Sequence, residues 1–269
     1  MNRRRALKSV PPSPAPLSGP LLVSVVIPVK DDAAQLERCL VALRSQSIDP
    51  FEVIVVDNGS TDDTASVAQR FGARVVFEPS AGIGIASAAG YNAATGDILA
   101  RLDADSIPVV DWVETVSSTF SVRDDVAAIT GPAHFTDGPR WLRAPAALAY
   151  LGSYFALTGM ALGHVPLFGS NLALRRHVWH SIRDEVHLHD ALTHDDLDLS
   201  FHIGVRNSIR YIPALRAGIS IRPLSDGRGA LRWRRGIHTV VMHWPHDLPW
   251  LRIARRAVFR ARVLVRSAA

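Results

Sequence analysis

The first half of the chain alternates short hydrophobic runs with helical patterns. The run from Leu22 to Ile27 is rich in valine and stops at Pro28, which lacks an amide donor. It is therefore predicted to be a strand buried on both faces of a sheet. The next predicted elements are a helix over 31–46, a strand over 52–56, a helix over 62–71 capped by Thr61, a strand over 74–77, a helix over 84–95, a strand over 97–102, a helix over 110–122 and a strand over 126–130. This alternation predicts an α/β fold with a mostly parallel central sheet flanked by helices.

Residues typical of ligand sites follow three of these strands. Pro28 ends the first strand, Asp57 the second, and Asp103 the fourth. Because ligands of open parallel sheets bind beyond the carboxyl ends of the strands, we expect these residues to converge on one crevice. Asp103 and Asp105 are separated by one residue, and magnesium or manganese is often held by one or two carboxylates plus substrate phosphates. The pair is therefore a candidate metal site, although aspartate is also common in solvated turns.

The second half of the chain contains a long uncharged segment and a histidine-rich loop. Residues 144–163 carry no formal charge and approach the length of a membrane span, but Pro145 and several small residues favour a soluble or interfacial helix. The predicted elements after it are a loop at 168–171, a helix over 174–182, and a helix opened by Asp195 and Asp196, with Thr193 as its cap and Leu197, Phe201 and Val205 as its apolar stripe. Acidic residues stabilise a helix N-terminus in any case, so this pair alone does not establish a site.

Composition and charge complete the organisation. With 48% hydrophobic and 20% charged residues, the 269-residue chain is predicted to form one globular domain, with its single cysteine, Cys39, in the core. The net charge of +5 comes without any zinc-finger, RNA-binding or helix-turn-helix pattern, so no nucleic acid is expected as a partner. We predict a disordered, basic, proline-rich tail over 1–20, a folded domain over 21–226 and a basic helical C-terminal extension over 227–269.

The C-terminal extension includes a basic amphipathic pattern. On a helical wheel the apolar arc consists of Trp250, Leu251, Ile253, Ala254, Ala257, Val258, Ala261, Leu264 and Val265. The opposite arc consists of Arg252, Arg255, Arg256, Arg260, Arg262 and Arg266. Such a helix can lie in an anionic membrane interface or pack on its own domain. Because the N-terminal stretch lacks the apolar run of a secretory signal, we expect a cytoplasmic protein, peripheral on the inner face of the cell membrane.

Five stretches, in this order, make the chain resemble the family 2 glycosyltransferases. They are Val23-Ser-Val-Val-Ile-Pro28, Ile54-Val-Val-Asp57-Asn-Gly-Ser-Thr-Asp62, Gly96-Asp-Ile-Leu-Ala-Arg-Leu-Asp103-Ala-Asp105, Gly169-Ser-Asn171 and Asp195-Asp196-Leu-Asp-Leu-Ser200. The resemblance implies a GT-A fold, which is Rossmann-like, with a nucleotide-binding part over about 21–131 and an acceptor part over about 132–226. It also implies inverting transfer from a nucleotide-sugar donor, assisted by Mn²⁺ or Mg²⁺.

The same resemblance implies roles for individual residues. The donor would be bound by Pro28, Val29, Asp31, Asp57, Gly82, Asp103, Gly169 and Asn171. Asp105 would be the main metal ligand, together with Asp103. Asp196 takes the place of the catalytic base, and Asp195 stands where a glutamate is usual. The acceptor, a small molecule or a lipid-linked one, is not specified by the motifs.

The chain departs from the family pattern at three places. Ala86-Ser87-Ala88 stands where many relatives have an Ala-Arg-Asn sequence, so an arginine contact to the donor is missing. Arg222 aligns with a histidine that completes the metal site in many relatives, and His238 or His243 could substitute for it. Gly229 precedes Arg232-Trp233 where processive members have glutamine, which disfavours a long-polymer synthase.

Three other functions compete with glycosyl transfer. Gly82-Ile-Gly84-Ile-Ala-Ser87 follows a strand and opens a helix, as in a dinucleotide-binding oxidoreductase, but the third glycine is missing. A nucleotide-binding fold without activity, peripheral on a membrane, is another alternative. The third is a zinc-dependent hydrolase with a metal cluster formed by His187, His189, Asp190 and His194.

Overall fold

The structure is a computed structural model that describes residues 20–204 and 207–267, with side chains through Val258. The predicted tail and Val205 fall outside these residues, apart from Pro20. The strands are β1 (Val23–Val29), β2 (Glu52–Asp57), β3 (Arg74–Phe77), β4 (Ile98–Arg101), β5 (Ile107–Pro108), β6 (Val126–Thr130), β7 (Ala133–Phe135), β8 (Leu172–Arg175), β9 (Ser208–Tyr211) and β10 (Ala217–Ile219). The helices are α1 (Ala33–Arg44), α2 (Thr64–Arg70), α3 (Ile83–Ala93), α4 (Trp112–Val122), α5 (Arg140–Leu162), α6 (Arg176–Ile182), α7 (Asp195–Gly204), α8 (Arg222–Ser225), α9 (Gly229–Met242) and α10 (Pro249–Ser267).

A seven-stranded sheet with the order β3-β2-β1-β4-β8-β6-β9 forms the centre of the described fold. All pairings are parallel except the two made by β8. Every residue of β1 is buried, and hydrophobic clusters lie on both faces of the sheet. The predicted mostly parallel α/β fold with a helical C-terminal extension is thus confirmed, and Cys39 lies in the core as expected.

The sequence-based prediction was wrong around residues 172–175. The helix was expected to begin at Leu174, whereas Leu172–Arg175 forms the buried strand β8 and the helix begins at Arg176. β8 fits between β4 and β6, so its strand conformation depends on two partners that are distant in sequence. A four-residue apolar stretch does not by itself distinguish a strand from a helix. Since β8 and β9 complete the same sheet as β1, the two predicted parts of the domain share one layer; the division near residue 131 stays a prediction.

A smaller sheet, with the order β5-β10-β7, lies beyond the carboxyl end of β4. The sequence analysis predicted none of its strands, because they have only two or three residues each. Their pairing brings the segment that precedes α8 next to the loop after β4. This arrangement is what places residue 222 beside the aspartate pair.

Both predicted threonine caps are wrong. The helix after β2 begins at Thr64, and Thr61 instead donates its hydroxyl hydrogen bond to Asp31 Oδ1 over 3.0 Å. α7 begins at Asp195, and the Thr193 hydroxyl faces the Met242 sulfur. In both cases a polar residue just before a helix was engaged by a neighbouring segment, which the local sequence does not reveal.

The C-terminal helix α10 packs on the domain through its arginine-bearing arc. Arg252, on the polar arc of the helical wheel, is fully buried, and its guanidinium donates hydrogen bonds to the carbonyls of Leu162 (3.0 Å) and Phe201 (3.1 Å). Arg256 donates to the carbonyl of Gly204. These carbonyls belong to the ends of α5 and α7, where backbone acceptors lack partners within their own helix. Burial lowers the pKa of Arg252 to about 10.

As a consequence, the apolar arc of α10 faces outward over the residues whose side chains are described, which end at Val258. Trp250 is 64% exposed, Ile253 54% and Val258 52%. The neighbouring helix α5 also exposes Leu148 and Met160. By length and composition α5 could cross a membrane. The described part of the molecule therefore carries two adjacent helices with apolar outer surfaces.

Candidate active site

The carboxyl ends of β1 and β2 lie side by side. Val29 is directly paired with Asp57, and Pro28 with Val56, so both predicted donor-site segments meet at one edge of the sheet. Asp57 is buried, and its Oδ1 accepts a hydrogen bond from the backbone amide of Ser60 over 2.8 Å. This bond shapes the turn after β2 and holds the carboxyl group at the strand end.

The loops after β1 and β2 are tied together by Asp31. Its Oδ1 accepts hydrogen bonds from the backbone amide (2.6 Å) and hydroxyl of Thr61, and its own amide donates to Ser60 Oγ over 3.0 Å. These hydrogen bonds lower the pKa of Asp31. Its φ of 49° lies in the left-handed region, which aspartate tolerates better than most residues. Asp31 thus sets the shape of the crevice rim.

The glycine loop before α3 is positioned by Asn58, a residue that the sequence analysis did not single out. The side-chain amide of Asn58 donates to the carbonyls of Glu78 and Ser80, and its Oδ1 accepts from the amide of Gly82 over 2.9 Å. Gly82 has a φ of 147°, which favours glycine. It lines a cavity of about 220 Å³ between this loop and the segment 186–195. The turn motif after β2, which contains Asn58, was the sequence feature that could have identified this residue.

Asp103 and Asp105 follow β4, and Asp105 lies close to Arg222. A guanidinium nitrogen of Arg222 is 3.0 Å from Asp105 Oδ2 and 2.6 Å from Asp32 Oδ2. Burial and then repulsion by Asp103 raise the pKa of Asp105, and Arg222 opposes this shift. Two carboxyl groups that share a partly buried site repel each other, and a cation relieves this repulsion. The side chains present therefore fit a divalent metal ion, which prefers oxygen ligands.

Arg101, at the end of β4, forms ion pairs with Asp103 and with Asp195, the first residue of α7. Its buried guanidinium is 3.0 Å from Asp103 Oδ1 and also forms an ion pair with Asp195. Ser170 donates its hydroxyl hydrogen bond to the other oxygen of Asp103 over 2.5 Å. Neither Arg101 nor Ser170 was predicted as a site residue. The sequence did contain both, inside two of the motifs that carried the family resemblance.

Asp196 is buried at the start of α7 and is held by two groups. Its Oδ2 accepts a hydrogen bond from the amide of Gly169 over 2.7 Å, and its Oδ1 forms an ion pair with His194. Burial alone would lower the pKa of His194, but Asp196 raises it to about 9. In turn, His194 lowers the pKa of Asp196 in spite of its burial. The carboxyl group is therefore ionised at neutral pH.

The loop 169–171 connects these groups. A Cβ atom on Gly169 would lie 3.0 Å from the guanidinium of Arg101 and 3.1 Å from Asp196 Oδ2, so a larger residue here would push against both side chains. Asn171 is fully buried: it accepts from the Trp112 indole and donates to the carbonyls of Pro132 and Leu215. Asn171, predicted to bind the donor, thus lies inside the fold with its side chain engaged there. Its donor-binding role stays a prediction.

The predicted histidine cluster does not form. His187 contacts Asp198, Asp190 contacts His238, and His194 contacts Asp196, so these side chains face three different partners. The hydrolase hypothesis required these side chains to bind one zinc ion together, and this ligand set is therefore wrong.

The structure is similar in fold to solved structures of other proteins. Glucosyl-3-phosphoglycerate synthase from Mycobacterium tuberculosis, in complex with Mn²⁺, UDP and phosphoglyceric acid, aligns with a TM-score of 0.59 at 24% identity, over 82% of this chain and 78% of that one. TarS of S. aureus aligns with a TM-score of 0.57 at 16% identity, over 76% of this chain and 37% of that one. The predicted GT-A fold with a mostly parallel central sheet is therefore confirmed.

The chain belongs to the glycosyl transferase family 2, whose family model matches residues 24–181. Glycosyltransferase AglE of Haloferax volcanii is 37% identical over 107 residues, which are 37% of this chain and 35% of AglE. An uncharacterized glycosyltransferase of Mycobacterium tuberculosis is 47% identical over 83 residues, 31% of this chain and 36% of the relative. The chain thus spans about a third of the length of these curated relatives. The predicted family is confirmed.

Family membership also decides against the oxidoreductase alternative. The loop Gly82–Gly84 follows β3, which is an edge strand of the seven-stranded sheet. A dinucleotide fingerprint belongs to the first strand, near the middle of the sheet at the topological switch point. The glycines instead begin α3 at the margin of the crevice.

Proposed function

We propose that the protein transfers a sugar from a nucleoside diphosphate donor to an acceptor hydroxyl, with inversion at the anomeric carbon. The observation that carries the proposal is the arrangement of Asp57, Asp103 and Asp105 at the carboxyl ends of two parallel strands of a family 2 fold. The likeness to an enzyme solved with Mn²⁺ and UDP supports this interpretation. The donor would bind along the edge formed by Pro28, Asp57 and the Gly82 loop.

Asp103 and Asp105 would hold Mn²⁺ or Mg²⁺ together with the donor diphosphate. The bound ion would offset the negative charge that develops on the leaving diphosphate, which is worth several kcal/mol in comparable sites. Arg222 pairs with Asp105 and Asp32, and its side chain is 49% exposed. It would therefore be a second cation within reach of the diphosphate. It occupies the place that the family resemblance gave to a histidine.

Asp196 would be the general base for the acceptor hydroxyl. It is ionised, and the Gly169 amide and His194 fix its orientation. Because its pKa is lowered, it is a weak base toward a free hydroxyl. The hydroxyl proton becomes acidic only as the new bond to the anomeric carbon forms, so transfer to Asp196 is favoured late in the displacement. Asp195, held by Arg101, would position the acceptor side of the crevice.

The acceptor would be lipid-linked. An apolar cavity of about 1090 Å³ runs beside α5, and it is lined by Leu148, Leu151, Phe155 and Ile253, among others. A groove of this composition suits an acyl or polyprenyl chain better than a free sugar. Ile253 belongs to α10, so the groove adjoins the apolar outer arc of that helix. We therefore propose that the protein is cytoplasmic and peripheral on the inner face of the cell membrane. The membrane would offer its apolar interior and its anionic headgroups to α5 and α10.

Membrane association gives a testable prediction. The paired substitutions Trp250→Glu and Ile253→Glu should lower binding to anionic liposomes by about 100-fold or more, because each buried apolar side chain contributes about 1.5–3 kcal/mol. Both residues are exposed, so the fold should survive. Co-sedimentation measures the effect. Val122→Glu is the matched control, since Val122 is 78% exposed on α4. Equal binding by parent and double variant would reject α10 as an anchor.

The activity itself is tested by a donor screen. Purified protein with Mn²⁺ would be incubated with UDP-, GDP- and dTDP-sugars, and release of the nucleoside diphosphate would be measured. Slow hydrolysis without acceptor is the expected signal for the correct donor. An absence of release with every donor, both with and without lipid-linked acceptors, would favour the alternative of an inactive nucleotide-binding fold.

A further inference from the structure

A second cluster of side chains that commonly bind metal ions lies apart from Asp103 and Asp105. It consists of His187, Asp198, His202 and His243, whose candidate ligand atoms all lie within 4.8 Å of one another. Asp198 and His202 are separated by four residues on α7 and therefore share one helix face. His187 comes from the loop after α6, and His243 follows the end of α9. Three segments distant in sequence thus converge on one carboxyl group.

The distances from Asp198 to the three histidines suit a tetrahedral ligand set. Asp198 Oδ1 is 2.9 Å from His187 Nδ1, 3.3 Å from His202 Nε2 and 3.3 Å from His243 Nε2. Zinc binds histidine nitrogen and aspartate oxygen at about 2.0–2.2 Å, so neighbouring ligand atoms of a tetrahedral site lie about 3.3–3.6 Å apart. Two of the three distances from Asp198 match this spacing, the distance to His187 is shorter, and all four ligand atoms lie within 4.8 Å of one another.

The ring of His243 is oriented with Nε2 toward Asp198. Its Nδ1 lies 2.7 Å from the carbonyl of Thr239, which can only accept, so Nδ1 carries a proton. In the neutral ring Nε2 then presents a lone pair to Asp198. The side chain is only 7% exposed, and Nε2 is buried without a hydrogen-bond partner. A lone pair on Nε2 would repel the carboxylate, so either a proton on this nitrogen or a metal ion has to lie between the two atoms.

His202 shows the same feature, and the surroundings fix the rings. Nε2 of His202 is also buried without a hydrogen-bond partner. The ring of His243 stacks on Phe201 with centroids 4.1 Å apart. A metal-binding histidine commonly donates its other ring N–H to a backbone carbonyl, as His243 does to Thr239. The orientation of the ligands is therefore built into the fold.

We propose that His187, Asp198, His202 and His243 bind a zinc ion that fastens the C-terminal helices to the domain that carries the site. Imidazole-rich sets favour zinc, whereas magnesium and manganese favour sets made of oxygen alone. Four protein ligands close the coordination shell, which is typical of a structural site. The ion would fix α7, whose first turn contains Asp195 and Asp196, against the end of α9. The exposed His187 borders the cavity near Gly82 and provides an entry path.

The test uses the full-length protein, stripped of metal and titrated with ZnCl₂ against a chromophoric chelator. We expect one tight site per chain and a higher melting temperature with zinc. His187→Gln and His243→Gln should each weaken zinc binding by at least about 10- to 100-fold, the range known for changes around metal sites. His187 is exposed, so that variant should fold even if the buried His243 variant does not. His246→Gln, at an exposed position nearby, is the matched control and should bind zinc like the parent.

Two further measurements separate this site from the proposed donor metal site. Co²⁺ bound to the cluster should give the strong visible absorption of a tetrahedral complex, and His187→Gln should abolish it. Asp105→Asn should leave both zinc affinity and this spectrum unchanged. The proposal is overturned if the parent binds no zinc tightly, if the histidine variants bind as the parent does, or if only Asp105→Asn loses the ion. The cluster would then be an ion-pair network around Asp198.

Discussion

Asp105→Asn should weaken manganese-dependent donor binding by about 10- to 100-fold or more while the fold stays intact. A neutral amide is a much poorer ligand than a carboxylate for a hard cation. The substitution also removes the negative charge that now pairs with Arg222, which keeps Asp32 as its partner. Calorimetric titration of the donor with and without Mn²⁺ measures the effect.

The control for this change is Asp49→Asn. Asp49 is exposed in the turn before β2, at the opposite end of the strand from Asp57. It should not alter donor affinity with or without the metal. If Asp105→Asn binds the donor as tightly as the parent in the presence of Mn²⁺, Asp105 does not belong to the metal site.

Asp196→Asn should lower the transfer rate by about 10²–10⁴-fold, the usual contribution of a general base, and leave donor binding unchanged. The amide keeps the shape of the carboxyl group but cannot take the proton. Asp195→Asn should cost less, since Asp195 pairs with Arg101 and affects positioning. Single-turnover rates compared with donor affinity separate the two roles. If the Asp195 variant is inactive and the Asp196 variant is active, Asp195 is the general base. If both variants are active, the base is another residue.

The ion pair with His194 adds a readout that does not depend on activity. The pKa of His194 rises from 6.5 to about 9 in the folded protein, so its contribution to stability is complete below pH 6.5 and is lost as the pH rises through 9. Asp196→Asn removes the partner that raises this pKa. The parent should therefore lose melting temperature between pH 6.5 and 9 more steeply than the variant. Equal slopes would show that the pair is not formed in solution.

Much of the site followed from the local sequence. Strands that are buried on both faces need continuous apolar runs, so β1 and β2 were visible as valine-rich segments. In a parallel sheet the ends of these strands must meet at one edge, so the sequence alone predicts that Pro28 and Asp57 lie close together. The pairing of β1 with β2 confirms this. The spacing of Asp103 and Asp105 likewise predicted a pair of carboxyl groups at the end of the fourth strand.

What the sequence could not decide are the long-range partners. β8 is a strand because β4 and β6 flank it, and Arg252 is buried because the ends of α5 and α7 offer carbonyls that need donors. The histidines also have partners that the sequence does not reveal. His187 and His194 are close in sequence but contact different carboxylates. His187 and His243 are distant in sequence, yet both contact Asp198. Periodicity and motifs encode which residues are apolar or chemically active within a segment. Which side chains meet across segments depends on packing and hydrogen-bond satisfaction, and these arise only in the tertiary structure.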